Sequence, residues 1–357
     1  MRFRLLALIP LLLISACGGD NSTAPAPAPT PGRFAATQPA PLSTGSPTKD
    51  EDPTAILAAD GSIVVAWFSN RGGNSDIYIA RCARGTEWSD PVRVTDNTDT
   101  DFYPNLYQDA NGTFHLTWYR WDASNQGHIW YNRTTDPLVW DTNSEVQVTT
   151  TGSVDDWVPC IAETPDSLRI FFVSQERTGS NTSDIYIATS PMDTVMWDDG
   201  RRFVHSLANV HDHLPCAAWT GSRLDVVWVR YDVAQPFPPL ASELCYAYSP
   251  DGVLWSGEYL VTLDYPAVSH VFPSLYQRSD GSWRILWMTT RTGMPQVVEM
   301  PLQLIGYGYP AALIVNDSVS PGYSHRVTRT PVKDLYFGAW VQGPDGEQDI
   351  YYRFYQN

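Results

Sequence analysis

The stretch DFYPNLYQDANGTFHLTWYRWDASNQGHIWYNRTTDPLVW, residues 101–140, decides the fold of this chain. It opens on Asp-x-x-Pro. Apolar and aromatic residues then alternate with polar ones in short runs, and Asp, Asn and Gly separate the runs. β-branched and aromatic side chains suit a pleated, half-buried surface, and the separators suit tight turns. The stretch therefore reads as a succession of short antiparallel strands. No long helical period appears anywhere in the chain.

The same pattern recurs. Copies begin at Asp50, Asp101, Asp156, Asp212 and His270, and a worn sixth begins at Tyr323, at intervals of 51, 55, 56, 58 and 53 residues. Each copy carries four strand signals. The first follows Asp-x-x-Pro, and the second ends at an aromatic: Trp67, Trp118, Phe172, Trp228, Trp287 or Trp340. The third is clearest as DIYIA at Asp76 and Asp184 and as DIYYR at Asp349, and the fourth follows Trp88, Trp140, Trp197 or Trp255. Four-stranded units of this length predict an all-β, six-bladed β-propeller of antiparallel blades. The last copy stops after its third strand, whereas TQPAPLST (residues 37–44) precedes the first copy and resembles the fourth-strand segment SDPVRVT (89–95). The N-terminal segment is expected to complete the last blade and close the ring, leaving no open edge.

Between strands three and four lie the turns TTDPLVW (134–140), PMDTVMW (191–197) and SPDGVLW (249–255), each with Asp four residues before Trp. The Asp holds turn amides and the Trp packs between blades. These turns resemble the Asp-box, or BNR repeat, of the sialidase-like β-propeller superfamily, with one residue fewer between Asp and Trp. The resemblance implies that Asp251 and Trp255 are fold residues, on the face opposite the active site. It also implies a motif in which an Arg stands two residues before the Pro of strand one. Glu51, Phe102, Trp157, His213 and Val271 occupy that position here, so no catalytic residue carries over. The DIY repeats also resemble the TolB-like group, which implies a subunit of an envelope assembly.

The opposite face collects the loops before strand one and those joining strands two and three. They bring Asp50, Asp101, Asp156, Asp212 and His270 together with Arg71, Arg120, Arg177, Arg230 and Arg291. Repeated blade by blade, such residues read as ion pairs bracing loops, or as a ring of which a few members bind a ligand. Trp121, Trp157 and Tyr231 break the repeat. Aromatic faces beside Asp and Arg suit a sugar, whose C–H faces stack while its hydroxyls take hydrogen bonds; the same rings also serve to fill space between loops. His211, Asp212, His213, His270 and His325 form a second departure, a candidate metal cluster whose members fall at different offsets. No metal or cofactor is expected. A glycosidase would need two suitably spaced carboxylates, and the sequence selects no pair.

The ends bound the location. Arg2 and Arg4, an apolar run from Leu5 to Ile14 and then Ile-Ser-Ala-Cys17 resemble a bacterial lipoprotein signal, which implies lipid on Cys17. Residues 1–16 are expected to be the signal peptide, 17–33 an extended Ala-Pro tether and 34–357 the propeller. With Gly18 after the cysteine, the expected destination is the outer membrane. The chain carries a net charge of −16, which argues against nucleic acid and leaves the lipid as the sole membrane contact. Cys82, Cys160, Cys216 and Cys245 match no zinc spacing. Cys160 and Cys216 each follow the strand-one Pro of neighbouring blades, a candidate bridge or two buried thiols. The sequence thus points to an exported, monomeric lipoprotein that binds a glycan or an envelope protein without catalysis. The alternatives are a glycoside hydrolase of altered specificity and a TolB-like assembly subunit.

Overall fold

The computed structural model describes residues 37–356 except 39, 44–47, 85–86, 153–154, 176–181, 204–208, 238, 263–267, 292–295, 306–312, 315–322, 331–334 and 345–346. Six antiparallel sheets make six blades. Blade I comprises Asp50–Leu57, Ile63–Ser69 and Asp76–Arg84, with Glu87–Trp88 and Val92–Arg93 on its outer edge. Blade II is Thr100–Gln108, Phe114–Trp121, Gly127–Thr134 and Val146–Gln147, and blade III is Asp155–Glu163, Ser167–Gln175, Ser183–Pro191 and Arg201–Arg202. Blade IV is Val210–Trp219, Leu224–Asp232, Glu243–Ser249 and Tyr259–Leu260, and blade V is His270–Gln277, Trp283–Thr289, Gln296–Pro301 and Leu313–Ile314. Blade VI takes Tyr323–Arg329, Leu335–Gln342 and Asp349–Gln356 from the C-terminus and Ala40–Pro41 from the N-terminus.

That last pairing closes the ring as the sequence predicts. Ala40 lies opposite Tyr352 and Pro41 opposite Tyr351, while Thr37 bonds Phe354 and Ser43 bonds Ile350. Phe354 stands at the far end of its strand from Asp349. The N-terminal segment therefore enters from the face of the Asp-box-like turns, termed the lower face here, and runs upward. No helix among the described residues is long and apolar enough to cross a membrane.

Core layers lie between blades. Trp67, Trp118, Trp228 and Trp287, in the later half of the second strands, are completely buried. Each such ring hides about 150–250 Å², worth about 4–6 kcal/mol at about 25 cal/mol per Å². The lower-face tryptophans stitch each blade to the one before it. Trp88 packs on Phe337 and Tyr352 of blade VI, Trp197 on Tyr131 of blade II, and Trp255 on Phe171 of blade III. The turn below Trp255 is held as its sequence suggests: the Asp251 carboxylate accepts from the amides of Val253 and Leu254 and from the Ser249 hydroxyl. Gly252 sits at φ +68, and a Cβ there would come within 2.6 Å of the Arg169 guanidinium of blade III.

One backbone device recurs at the axis. The residue before each strand-one Pro is left-handed: Asp52, Tyr103, Val158, Leu214 and Phe272 have φ between 48 and 54. The pairing register of every inner strand shifts across this residue and its Pro. A non-glycine residue rarely adopts this conformation, so each bulge stores strain that the surrounding sheet must hold. The bulges turn five side chains toward the axis and narrow it to a neck.

Candidate functional site

The neck divides the axis. On it, a space of about 30 Å³ is lined by Asp52, Tyr103, Val158, Leu214, Phe272 and Arg326, among others. That is room for a water or two. Below it, a cavity of about 330 Å³ runs along the second halves of the inner strands to the lower face, where Trp219 and Trp283 help to line it.

Above the neck, the ring of Asp and His lies sealed. Asp50, Asp101, Asp156, Asp212 and His270 are completely buried. Asp101 accepts from Arg120 with both oxygens, at 2.7 and 3.1 Å, and from the Trp118 indole at 3.0 Å. Asp212 repeats this with Arg230, at 2.8 and 3.1 Å, and Trp228, at 3.0 Å. Asp50 pairs with Arg71 at 2.7 Å, and the Trp287 indole donates to His270 Nδ1 at 3.1 Å. Arg120 and Arg230 are themselves buried and spend their remaining nitrogens on Glu145 and Glu258. These groups brace the blades from within. Asp101 and Asp212, each held by an Arg and a Trp of its own blade, are closed to a ligand, while Asp50 keeps one buried oxygen without a hydrogen-bond partner. Arg291 is exposed in its loop, and Arg177 lies outside the described residues.

The candidate metal cluster comes apart on the same geometry. Successive strand residues point to opposite sides, so Asp212 turns to Arg230 while His211 and His213 face the other way. His211 Nδ1 accepts from the Ser183 amide at 3.1 Å, which places its proton on Nε2. The side chain of His325 lies outside the described residues, and no group of three or more metal-binding side chains forms among the described ones.

The structure does bring together an aromatic wall on the upper side of blades III to V. Trp157 meets His213 edge-on at 4.7 Å, and His213 lies 5.3 Å from Tyr231 and 5.5 Å from Phe237. Phe237 in turn lies 6.3 Å from the bulge residue Phe272. Tyr231 is buried and forms the back of the wall; Trp157 is half-buried and Phe237 is 37% exposed. The Trp157 indole N–H has no hydrogen-bond partner. Burial, assisted by the neighbouring His211, pushes the His213 pKa down to about 3, so the imidazole in this wall is neutral. Trp121 stands apart in blade II, edge-on to Tyr119, with its N–H 3.4 Å from Asn125. Sequence reasoning found Trp157 and Tyr231 but missed Phe237 and Phe272. The missed signals were the Pro-rich loop AQPFPP between strands two and three of blade IV and the position before each strand-one Pro.

The rings that this cluster leaves accessible, Trp157 and Phe237, suit a ligand with apolar C–H faces, whereas the Trp157 indole N–H and the His213 imidazole are buried. No family model matches this sequence, and no curated protein matches it either. Solved structures do resemble the fold. A protein of unknown function from Dyadobacter fermentans superposes with a TM-score of 0.69 at 11% identity, covering 90% of this chain and 98% of its own. An α-L-arabinanase from Penicillium chrysogenum, solved with arabinobiose, gives 0.68 at 12% identity, covering 86% and 93%. A sialidase from Streptococcus pneumoniae gives 0.60 at 9%, covering 86% and 68%. The chain thus has the six-bladed β-propeller fold found in sialidases and arabinan-cleaving glycoside hydrolases, as its Asp-box-like turns predict.

Proposed function

We infer that this chain is an exported, lipid-anchored envelope protein whose upper propeller face binds carbohydrate without cleaving it. Trp157 and Phe237 carry the reading: they are the accessible rings of an aromatic cluster whose other members, His213, Tyr231 and Phe272, are buried behind them. Stacking on such rings recognises sugars, while the carboxylates beside it are sealed by their own Arg and Trp partners and have no free side for acid–base work. The leader ending in Cys17 and the net charge of −16 support display outside the cytoplasm, with lipid as the sole membrane contact. A second reading, glycoside hydrolysis, is favoured by the fold's likeness to the arabinanase.

A time-resolved glycan array tests both, with a soluble chain of residues 34–357. Arabino-oligosaccharides and sialylated glycans belong on it. Binding predicts a stable signal on a defined set of sugars, weakened about tenfold or more by Trp157→Ala and by Phe237→Ala when each variant is measured well below its own Tm. Steady loss of terminal sugars would establish the hydrolase instead. A blank array would reject both readings and favour an assembly subunit with a protein partner.

A further inference from the structure

The residue after each strand-one Pro faces the axis just below the neck. Thr54, Asn105, Cys160, Cys216 and Ser274 hold this position in blades I to V, Arg326 takes the equivalent place in blade VI after His325, and all six line the axial cavity. Three of them latch onto the next blade in one way. The Asn105 side-chain oxygen accepts from the Ile161 amide at 2.9 Å, Cys160 Sγ from the Ala217 amide at 3.2 Å, and Cys216 Sγ from the Leu275 amide at 3.3 Å. Cys160 is thereby fixed against the residue next to Cys216, and the two thiols lie within hydrogen-bonding reach of each other on the cavity wall. Cys82 and Cys245 are buried in the blades and line neither space on the axis.

We propose that Cys160 and Cys216 are a redox-active dithiol that reacts with small disulfides arriving through the axial cavity. Three observations assign the roles. Cys216 is the more exposed of the two, and Cys160 is buried. The Cys160 thiol donates toward Cys216, and the guanidinium of Arg326 adds positive charge, so the Cys216 thiol is held below its usual range while that of Cys160 is pushed up. A sulfur that is both reachable and more readily ionised is the attacking one. The Cys216 thiolate attacks one sulfur of R–S–S–R and gives a mixed disulfide and a thiolate, RS⁻. Cys160 then loses its proton to the first RS⁻ and attacks the Cys216 sulfur, which releases the second RS⁻, and this takes up the proton that Cys216 lost to solvent on forming its thiolate. The protein is oxidised by two electrons to a Cys160–Cys216 disulfide, and the small disulfide is reduced to two R–SH. The bridge ties the inner strands of blades III and IV.

The test uses the folded full-length chain, reduced and desalted, then exposed to 2-hydroxyethyl disulfide and mapped by peptide mass spectrometry without reduction. The expected product links Cys160 to Cys216, with Cys82 and Cys245 still free. It should form faster as pH rises toward neutrality and should raise Tm. Cys160→Ser should stop the reaction at a stable mixed disulfide on Cys216, and Cys216→Ser should abolish it. The proposal is overturned if the folded wild-type chain forms no such link, or if linkage appears only in denaturant. It also fails if a folded Cys160→Ser chain leaves Cys216 unmodified; the wild-type mapping decides the matter should that variant not fold.

Discussion

His213 shows how one buried residue sets a pH response. Its imidazole is neutral in the folded chain because burial among aromatic rings opposes charge, and its pKa falls to about 3. In the unfolded chain the group titrates at about 6.5. The folded state therefore binds fewer protons between these values, and stability is lost as pH falls from about 6.5 toward 3, by up to about 1.4 kcal/mol per pH unit. Asp76 and Asp212 are held up at about 6 by burial, against the pull of Arg93 and Arg230, and work in the opposite sense below that pH. The difference between wild type and His213→Phe isolates the imidazole. Denaturant unfolding at pH 7 and pH 5 should show the variant losing less stability on acidification; equal losses would mean that His213 is protonated in the fold. Asp101 makes the opposite case, a charge buried because it is paired. Asp101→Ala leaves Arg120 and the Trp118 indole without their acceptor. It should cost about 3–5 kcal/mol in chemical denaturation. A loss below about 1 kcal/mol would place this pair among ordinary surface ion pairs.

At the scale of the element, the blade is defined by what it gives its neighbour. Trp255 leaves its own turn to meet Phe203 at 4.5 Å and Phe171 at 6.0 Å, both in blade III. Trp255→Ala should therefore destabilise the fold by about 3 kcal/mol, near the low end for an aromatic because the ring is only half-buried. Glycan binding on the opposite face should be unaltered once measured well below Tm. An unchanged Tm would show that the turn contributes no packing between blades. This element was legible in the sequence, since Asp four residues before Trp recurs in three blades and implies one turn geometry. The sealing of the carboxylates was legible only in part. Blades II and IV carry Trp-x-Arg at the end of strand two, and the pairing register sets Asp101 opposite Arg120 and Asp212 opposite Arg230. The bulge at each Pro shifts the lower half of the strand relative to the upper, and that offset cannot be counted from the sequence without the pairing itself.

At the scale of the whole molecule, closure is the event on which the ring depends. Two residues, Ala40 and Pro41, cover the outer edge of Asp349–Gln356, with Thr37 and Ser43 adding bonds at either end. A chain lacking residues 37–43 should melt earlier and self-associate, because a bare strand edge pairs with other chains. Calorimetry and size-exclusion chromatography check this; a monomer with unchanged Tm would show that the ring holds without its N-terminal strand.

The sequence by itself determined what is periodic and local. Strand length, turn chemistry, six copies and a missing last strand follow from spacing and residue type, and together they admit one architecture. Tertiary structure decided what depends on placement around the axis. It sealed Asp101 and Asp212 inside their blades, set Phe237 and Phe272 beside Trp157 and His213, and brought Cys160 against the residue next to Cys216, 57 positions further along the chain. The physical reason is that these contacts cross between strands or blades. Each is set by pairing register and by the bulges at the neck, and both of those arise when the sheets assemble rather than in any one stretch of chain.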